Sequence, residues 1–384
     1  MKSQQINVST RIHDERDRMN ILTIANGIYP ETIGGIEVGV AKLSQMQTNE
    51  GHNVTVILPK PASSDGSTPD FCSIQHYDPK FRLFGNPLSP YPYTHLKKHH
   101  EDYDVVHSHS HLFSGSVFAA RVCEKLDIPY VVTSHGFESQ TAPMYVNKVY
   151  NNSIGKYVFE AADAIITYTS TEVQKIQDLG IKRDKIHLVT RGIDIDSFSP
   201  QFNKPKDPAQ LLWVSRFVPG KGASVVVQTV YDLQQNGVNV EATLVGTGPQ
   251  REEVEKLIHR LGISSSITIK ESLSEAELQE EYRQATLFLL PSVSEGMNRT
   301  ILESMASGTP VVISDLPHFR EIVHDCGKIV PKIDSKYFAE AVEEMLNTDL
   351  NKPAKTARRQ VEGQFTWDQT FNDIRPIFQE ITST

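Results

Sequence analysis

The sequence has few cysteines, no long apolar run and no excess of basic residues, and each shortage excludes a class of protein. Cys72, Cys123 and Cys326 lie far apart in the chain and form no metal-binding spacing, so we expect free thiols in a reducing compartment. No stretch approaches the ~20 apolar residues that a membrane-spanning helix needs. A net charge of −9 makes the chain a poor candidate for binding nucleic acid. Together these shortages predict a cytoplasmic protein.

Motifs for bound phosphates and metals are also missing. The first βα turn lacks G-x-G-x-x-G, and the P-loop pattern G-x-x-x-x-G-K-[ST] is absent. The Asp-x-Asp pair Asp194 and Asp196 precedes a proline-containing linker and does not stand at a strand end in a cleft. We therefore predict that the protein needs no metal and no cofactor.

The chain does contain enough apolar sequence for an ordinary core. Its 384 residues are 39% hydrophobic and 22% charged, which suits two or three domains. Residues 1–18 are polar and are interpreted as an N-terminal extension, not a signal peptide. Prolines mark a linker over 197–210. We predict an N-terminal domain over 19–198, a C-terminal domain over 208–365 and a terminal helix within 366–384.

Both halves of the chain open with the same pattern. The first half begins with a strand, a glycine-containing loop, a helix and a second strand, over residues 19–25, 26–35, 36–50 and 54–58. Residues 234–245 then echo residues 47–58, with a helix end, a glycine, Asn-Val and a strand. The predicted fold class is therefore α/β with two Rossmann-like domains. Gly34 and Gly35 either let a ligand approach the backbone beside a helix N-terminus or form a simple turn.

Histidines gather near two predicted strand ends. His107, His109 and His111 alternate along a strand predicted over 103–110. A zinc site is conceivable, but no cysteine or carboxylate stands at a matching spacing. His135 follows the next predicted strand, where the carboxyl edge of a parallel sheet meets its ligand. It is either a general base or hydroxyl partner, or a packed histidine. A helix is predicted over 146–162, after this strand.

The least regular part of the sequence is 59–104, where prolines are interleaved with aromatic residues. Long loops in compact domains are usually functional or mobile. Lys97 and Lys98, followed by His99 and His100, form a small basic cluster. This cluster either contacts an acceptor or a membrane surface, or belongs to an ordinary solvated loop.

Two cations frame a glycine-rich loop in the second half. Arg216 ends a predicted strand, and Lys221 precedes a helix that begins near Ala223. Fixed cations and helix N–H groups can stabilise the charge on a departing diphosphate without a metal. The alternative is a pair of surface cations near a turn. Gly246 and Gly248 form a tight turn after the following strand.

The most informative stretch is 287–314. A buried strand, a polar turn, a short helix capped by Asn298 and ended by Gly308, and a second strand are predicted within it. Glu295 lies in the turn and Glu303 on the helix. A carboxylate can accept hydrogen bonds from the vicinal hydroxyls of a sugar or ribose. The alternative is a loop glutamate and a helical glutamate in a structural ion pair.

The spacing Glu295-x7-Glu303, followed by Met-Ala-x-Gly-x-Pro-Val-Val, resembles the donor-site signature of retaining GT-B glycosyltransferases of the family 4, group 1 type. The arrangement of Arg216 and Lys221 is similar to that family's diphosphate clamp. The resemblance covers nearly the whole chain outside 1–18 and 59–103. The sequence departs from the family pattern at three positions, where Asn298 and Glu271 replace Gly and Arg191 replaces Asn.

This resemblance implies a GT-B fold, with two Rossmann-like domains facing across a cleft and a terminal helix returning toward the first. It implies metal-independent, retaining transfer of a hexose from a UDP- or GDP-sugar to a hydroxyl acceptor in glycan, glycolipid or polysaccharide synthesis. The implied catalytic residues are His135, Arg216, Lys221 and Glu295. The residues expected to contact the donor are Gly34, Gly35, Arg216, Lys221, Gly246, Gly248, Ser272, Leu273, Glu295, Gly296, Met297, Asn298, Arg299, Thr300 and Glu303.

Two other functions remain open at this point. A GT-B sugar-nucleotide epimerase would turn over its nucleotide sugar without an acceptor. A partner subunit with a weakened site would bind nucleotide sugar without turnover. The sequence leaves the sugar, the base, the acceptor and the oligomeric state open, and a peripheral membrane contact stays an option.

Overall fold

The computed structural model describes residues 18–61, 68–138, 142–205, 207–271, 273–323 and 325–383. The chain divides into two compact units. Unit 1 comprises Met1–Ile166, Ile176–His187 and Arg375–Thr384, and unit 2 comprises Thr167–Lys175 and Leu188–Ile374. The predicted extension over 1–18, apart from Arg18, lies outside the described residues, and so does the predicted donor contact Ser272.

The first half of the chain forms a seven-stranded sheet and a separate hairpin. The strands are β1 Asn20–Ile24, β2 Asn53–Pro59, β3 Ser73–Tyr77, β4 Phe81–Leu83, β5 Asn86–Leu88, β6 Val105–His109, β7 Tyr130–Thr133, β8 Ala164–Thr167 and β9 Ile186–Leu188. The sheet order is β3-β2-β1-β6-β7-β8-β9, and β4 pairs only with β5, antiparallel. The helices are α1 Gly35–Asn49, α2 Tyr91–His99, α3 Ser114–Leu126, α4 Met144–Tyr150, α5 Lys156–Ala161 and α6 Ser170–Asp178.

The second half forms a six-stranded parallel sheet in the order β12-β11-β10-β13-β14-β15. Those strands are β10 Ala209–Val214, β11 Val240–Val245, β12 Ile267–Lys270, β13 Leu287–Leu290, β14 Val311–Ser314 and β15 Gly327–Val330. The helices are α7 Ala223–Gln235, α8 Arg251–Leu261, α9 Glu275–Gln284, α10 Arg299–Ala306, α11 Pro317–Ile322, α12 Ser335–Leu346, α13 Asn351–Gln364 and α14 Trp367–Thr382. Among these helices, in the described part of the chain, none is long and apolar enough to cross a membrane.

In each sheet, successive strands are added first on one side of the starting strand and then on the other. Ligands of open parallel sheets bind at the point where this direction changes, the switch point. In the first sheet β1 lies between β2 and β6, and in the second sheet β10 lies between β11 and β13. Every residue of β13 is buried, because a parallel strand covered on both faces needs a continuous apolar run. The loops that follow β10 and β13 therefore meet at the carboxyl edge of the second sheet.

The repeat seen in the sequence corresponds to equivalent elements. Residues 47–58 contain the end of α1 and most of β2, which pairs with β1. Residues 234–245 contain the end of α7 and all of β11, which pairs with β10 in the same way. The two Rossmann-like halves predicted from this echo are confirmed.

Three structural predictions need correction. The region 59–104 is not one long loop, because it contributes an edge strand, the hairpin β4–β5 and the nine-residue helix α2. The helix predicted over 146–162 is interrupted by a π-helical segment, Asn151–Gly155. The linker predicted over 197–210 ends earlier, since β10 already begins at Ala209. The short elements of 59–104 were not predicted, because their apolar patterns are too brief to recognise and prolines occur at helix starts and in turns.

Candidate functional site in unit 2

A buried ion pair joins the two loops at the switch point of the second sheet. Lys221 Nζ lies 2.7 Å from Glu295 Oε2, and the two side chains are only 14% and 8% exposed. Lys221 Nζ also lies 3.5 Å from the carbonyl oxygen of Ser294. The other carboxylate oxygen, Glu295 Oε1, is buried and has no hydrogen-bond partner among the described residues. The pair thus keeps one acceptor available for a donor that a ligand would bring.

The backbone around Lys221 is fixed by its neighbours. Gly222 has a φ of +77°, and a Cβ there would lie 2.3 Å from the carbonyl oxygen of Pro291. Only glycine tolerates both the left-handed conformation and this close approach. The Trp213 indole Nε1 donates to the Lys221 carbonyl at 3.0 Å, and the Val293 amide donates to the Gly220 carbonyl at 2.8 Å. The loop after β10 and the loop after β13 are therefore packed closely and hydrogen-bonded to each other.

Gly246 and Gly248 hold the loop that carries Arg216. A Cβ at Gly246 would lie 1.9 Å from the Ser215 carbonyl oxygen, and one at Gly248 would lie 2.4 Å from the Phe217 carbonyl oxygen. The Phe217 amide also donates to the Thr247 carbonyl at 2.8 Å. Arg216, between these two carbonyls, is exposed at the strand end. The glycines thus have a packing role that the sequence pattern alone did not reveal.

The short helix α10 carries the second predicted carboxylate. Asn298 caps it, because its side chain accepts from the Thr300 amide at 2.8 Å, as predicted. Glu303 is buried; its Oε1 lies 3.0 Å from Arg299, and its Oε2 accepts from the Tyr282 hydroxyl at 3.0 Å. Each of the two glutamates is thus in an ion pair of its own, with different cations. A carboxylate offers about four lone-pair positions, so both can still accept further hydrogen bonds.

The remaining predicted donor residues of unit 2 lie around this pair. Gly296 is in the turn beside Glu295, and Arg299 and Thr300 open α10. The side chains of Met297 and Leu273 pack against the apolar cluster that includes Tyr282. The side chains of these two residues therefore support the loops. Any contact that they make with a ligand would come from their backbone atoms.

Arg191 is a site residue that the sequence analysis mentioned only as a departure from a pattern. Its guanidinium donates to the Met297 carbonyl at 3.0 Å and lies 5.4 Å from the centre of the Tyr168 ring. The neighbouring Gly192 lies so close to the start of α14 that a Cβ would be 2.7 Å from Trp367 Cα. The Arg191 side chain therefore supports the turn between Glu295 and α10. The backbone next to Arg191 is itself closely packed against the start of α14.

His318 was missed entirely. It lies at the start of α11, is 4% exposed, and its ring faces the backbone of Gly296. Burial lowers the pKa of its imidazole, while the nearby Glu295 acts in the opposite direction. A single histidine after Leu-Pro gives no recognisable sequence signal, so only the fold brings it to the Glu295 turn.

Unit 1 brings together a separate set of predicted residues. His109 Nδ1 and His135 Nε2 share a hydrogen bond of 3.1 Å, and the rings of His107 and His109 are 4.3 Å apart. His111 lies beyond the end of β6 and shares a hydrogen bond of 2.9 Å with Asn151. Burial lowers the pKa of His109 to about 3 and that of His111 to about 4. His109 and His111 are thus packed and neutral, and His135 is half-buried.

Gly34 is the N-cap of α1 and Gly35 is its first residue, one position before the predicted start at Ile36. A Cβ at Gly34 would lie 2.1 Å from Glu37 Oε2, so a carboxylate from the first helical turn folds back over this glycine. An anionic ligand at this helix N-terminus would have to displace that side chain.

The geometry of unit 2 suits an anionic ligand that carries hydroxyl groups. Lys221 and Glu295 lie on loops at one sheet edge, and Arg299 and Glu303 lie on α10, whose N-terminus is at the same edge. Within the described ranges, no group of three or more His, Cys, Asp or Glu side chains could hold a metal ion.

Two family models match the chain, one in each half. Residues 33–197 match the model described as Glycosyltransferase Family 4, and residues 194–362 match Glycosyl transferases group 1. Together they span the site in unit 2 and the histidine cluster in unit 1.

Similar proteins include enzymes of known reaction. A D-inositol 3-phosphate glycosyltransferase from Xylanimonas cellulosilytica is 25% identical over 91% of this chain and 92% of its own length. Sucrose-phosphate synthase from Thermosynechococcus elongatus has a similar structure, with a TM-score of 0.76 and 19% identity over 95% of this chain and 100% of that one. HepE from Anabaena, solved with UDP, gives a TM-score of 0.75 and 17% identity over 94% of this chain and 100% of that one.

Proposed function

We propose a reaction from one premise: the chain belongs to the glycosyltransferases of group 1 and family 4, and it has their GT-B fold. As a member of that family it transfers a glycosyl unit from a sugar nucleotide to a hydroxyl acceptor. The specific proposal is a retaining, metal-independent hexosyltransferase that uses a UDP- or GDP-hexose. Its acceptor would be a hydroxyl of a glycan, a glycolipid or a growing polysaccharide.

The observation that carries this proposal is the buried pair of Lys221 and Glu295. In the proposed complex the donor diphosphate lies against Lys221, Arg216 and the N-terminus of α10. The unpartnered oxygen Glu295 Oε1 accepts from a hydroxyl of the donor sugar, and Glu303 accepts from the ribose. Lys221, Arg216 and the N-terminus of α10 stabilise the negative charge that grows on the diphosphate as the glycosidic bond breaks.

Retention follows from a same-face displacement. The acceptor oxygen bonds to the anomeric carbon on the face from which the diphosphate leaves, and its proton passes to the departing phosphate oxygen. Glu295 and Glu303 are already held in ion pairs, which favours a binding role over attack on the anomeric carbon. The reaction then needs no covalent glycosyl-enzyme.

The first experiment is a thermal-shift screen with UDP, GDP and ADP. A nucleotide at 100 times its Kd stabilises the folded state by about 2.7 kcal/mol, because it binds only that state. We expect UDP or GDP to raise the melting temperature more than ADP. Glu303→Ala, with a tenfold higher Kd, should reduce that stabilisation to about 1.4 kcal/mol or less at the same nucleotide concentration. The exposed control Glu252→Ala should leave the rise unchanged. An undiminished rise in Glu303→Ala would contradict the proposed ribose contact.

The second experiment follows turnover of the preferred sugar nucleotide with mixed glycan acceptors. Proton NMR of the product should show the anomeric configuration of the donor, and an inverted product would refute retention. EDTA should leave the rate unchanged; a loss restored by Mn²⁺ or Mg²⁺ would refute metal independence. Turnover without acceptor would identify an epimerase, and binding without any turnover would favour a partner subunit.

A further inference from the structure

The hairpin β4–β5 in unit 1 exposes an unusual amount of apolar surface. Phe81, Leu83 and Phe84 are 60%, 52% and 45% exposed, and they follow one another within four residues. Every residue of β4 is exposed, and the hairpin pairs with no strand of the seven-stranded sheet. Single exposed apolar residues are normal on a protein surface, but a contiguous group of them indicates an interaction site.

The backbone at the tip of the hairpin adds a second indication. Phe84 has a φ of +48° and the following Gly85 a φ of +77°. Two central residues with positive φ form the kind of turn that normally takes Asn-Gly, and a bulky residue there is strained by ~1–3 kcal/mol. The sequence thus keeps an aromatic residue at a tip where a small polar residue would be more stable.

The second strand of the hairpin, β5, is held by the neighbouring chain. The Asn86 side chain donates to the Leu112 carbonyl at 2.8 Å, and the Ser114 hydroxyl donates to the Pro87 carbonyl at 2.5 Å. The Lys80 amide donates to the Leu88 carbonyl at 3.0 Å. An isolated two-stranded hairpin is marginal in water, so these contacts along β5 stabilise it and leave the side chains of β4 exposed.

The charges on the hairpin itself have one sign. Residues 79–88 contain Lys80 and Arg82 but no Asp or Glu. Both cations are exposed. The preceding acidic residue, Asp78, is paired with Lys60 at 3.0 Å. In a chain with a net charge of −9, this basic segment is complementary to an anionic surface.

We propose that the hairpin tip is a docking element for an anionic lipid surface, with Phe81, Leu83 and Phe84 entering the headgroup region and the neighbouring cations facing lipid phosphates. Apolar and aromatic side chains beside Lys and Arg are the combination that binds such interfaces. The patch is small, so the binding is reversible. This proposal does not depend on the sugar or the nucleotide that the enzyme uses.

The test is co-sedimentation of the full chain with vesicles of phosphatidylcholine, with or without phosphatidylglycerol. We expect binding only to the vesicles with phosphatidylglycerol, weakened by salt. Leu83→Ser should lower the partition coefficient about tenfold, since moving one such side chain out of water is worth ~1.5 kcal/mol. The matched control is Leu188→Ser, because Leu188 is 48% exposed but lies outside the hairpin.

A direct readout is Phe84→Trp, whose emission should shift to the blue on anionic vesicles and be quenched by brominated lipid. The melting temperatures of all variants, and their turnover with a soluble acceptor, should match the wild type. No binding to anionic vesicles, equal binding to neutral ones, or an equal loss with Leu188→Ser would overturn the proposal. So would loss of binding to a soluble glycan in Leu83→Ser without any change in vesicle binding, because the patch would then be an acceptor surface.

Discussion

Removing the charge of Lys221 should destabilise unit 2, because Glu295 would remain buried without its cation. At 2.7 Å and an effective dielectric constant of 20, the attraction within the pair is about 6 kcal/mol before desolvation is subtracted. Breaking a buried pair by removing one partner typically costs about 3–5 kcal/mol. Since the two side chains keep 14% and 8% exposure, we expect Lys221→Met to cost about 3 kcal/mol.

Tryptophan fluorescence is a suitable probe for this change. The two tryptophans of the chain, Trp213 and Trp367, both belong to unit 2 and are both buried. The indole of Trp213 donates directly to the Lys221 carbonyl, so its emission reports on the segment that is altered. Urea unfolding followed by fluorescence therefore measures the stability of unit 2 separately from that of unit 1.

The control is an exposed pair with the same chemistry. Lys256 Nζ lies 2.6 Å from Glu252 Oε1, but the side chains are 73% and 78% exposed. Lys256→Met should leave the free energy of unfolding nearly unchanged, because solvent screens such pairs. The double variant Lys221→Met with Glu295→Gln should recover at least ~1 kcal/mol of the loss. If the two changes at the buried site are simply additive, or if the exposed pair costs as much, the reasoning is wrong.

Three further predictions follow from contacts described above. Glu303→Ala should raise the Kd for the nucleotide by about tenfold or more in calorimetry, with a smaller effect on kcat; an unchanged Kd would contradict the ribose contact. Arg191→Asn should raise the KM for the donor several-fold and leave acceptor KM unchanged, while Arg191→Lys, which keeps the charge, should lose less. The free energy of unfolding of unit 1 should decrease as the pH is lowered from about 6.5 to 4. His109 and His111 take up protons over this range in the unfolded chain, but they stay neutral while buried in the folded one. Amide exchange in β6, corrected for intrinsic rates, should show this loss, and His109→Gln should reduce it.

The fold was predictable where long periodic segments alternate with glycine and proline. The strand Leu287–Leu290 and the helix that starts at Arg299 match their predictions because an apolar run, an asparagine cap and a glycine end mark them clearly. The hairpin β4–β5 was not predictable. Its strands have three residues each, which is too short for any period to be visible, and its turn uses phenylalanine where asparagine is usual.

The site was predictable as a set of residue types, but its internal pairing was not. Strand ends and helix starts place Lys221 and Glu295 at the same sheet edge, which the spacing indicated. Lys221 and Glu295 are 74 positions apart, and no local pattern encodes their pairing. Arg299 and Glu303 stand at the i,i+4 spacing of neighbours on a helix face, a local signal that the sequence analysis did not use. His318 lies beyond any such pattern, because only the packing of α11 brings it near the turn.

The tight packing of Gly192 against Trp367 has a practical consequence for how the protein is handled. The Ile193 amide also donates to the Phe365 carbonyl at 2.9 Å, and the Thr370 hydroxyl donates to the Thr190 carbonyl at 2.7 Å. A shortened version that stops before Phe365 would remove these supports from the backbone on either side of Arg191. A deletion of the last helix would therefore disturb a loop that lies far upstream in the sequence.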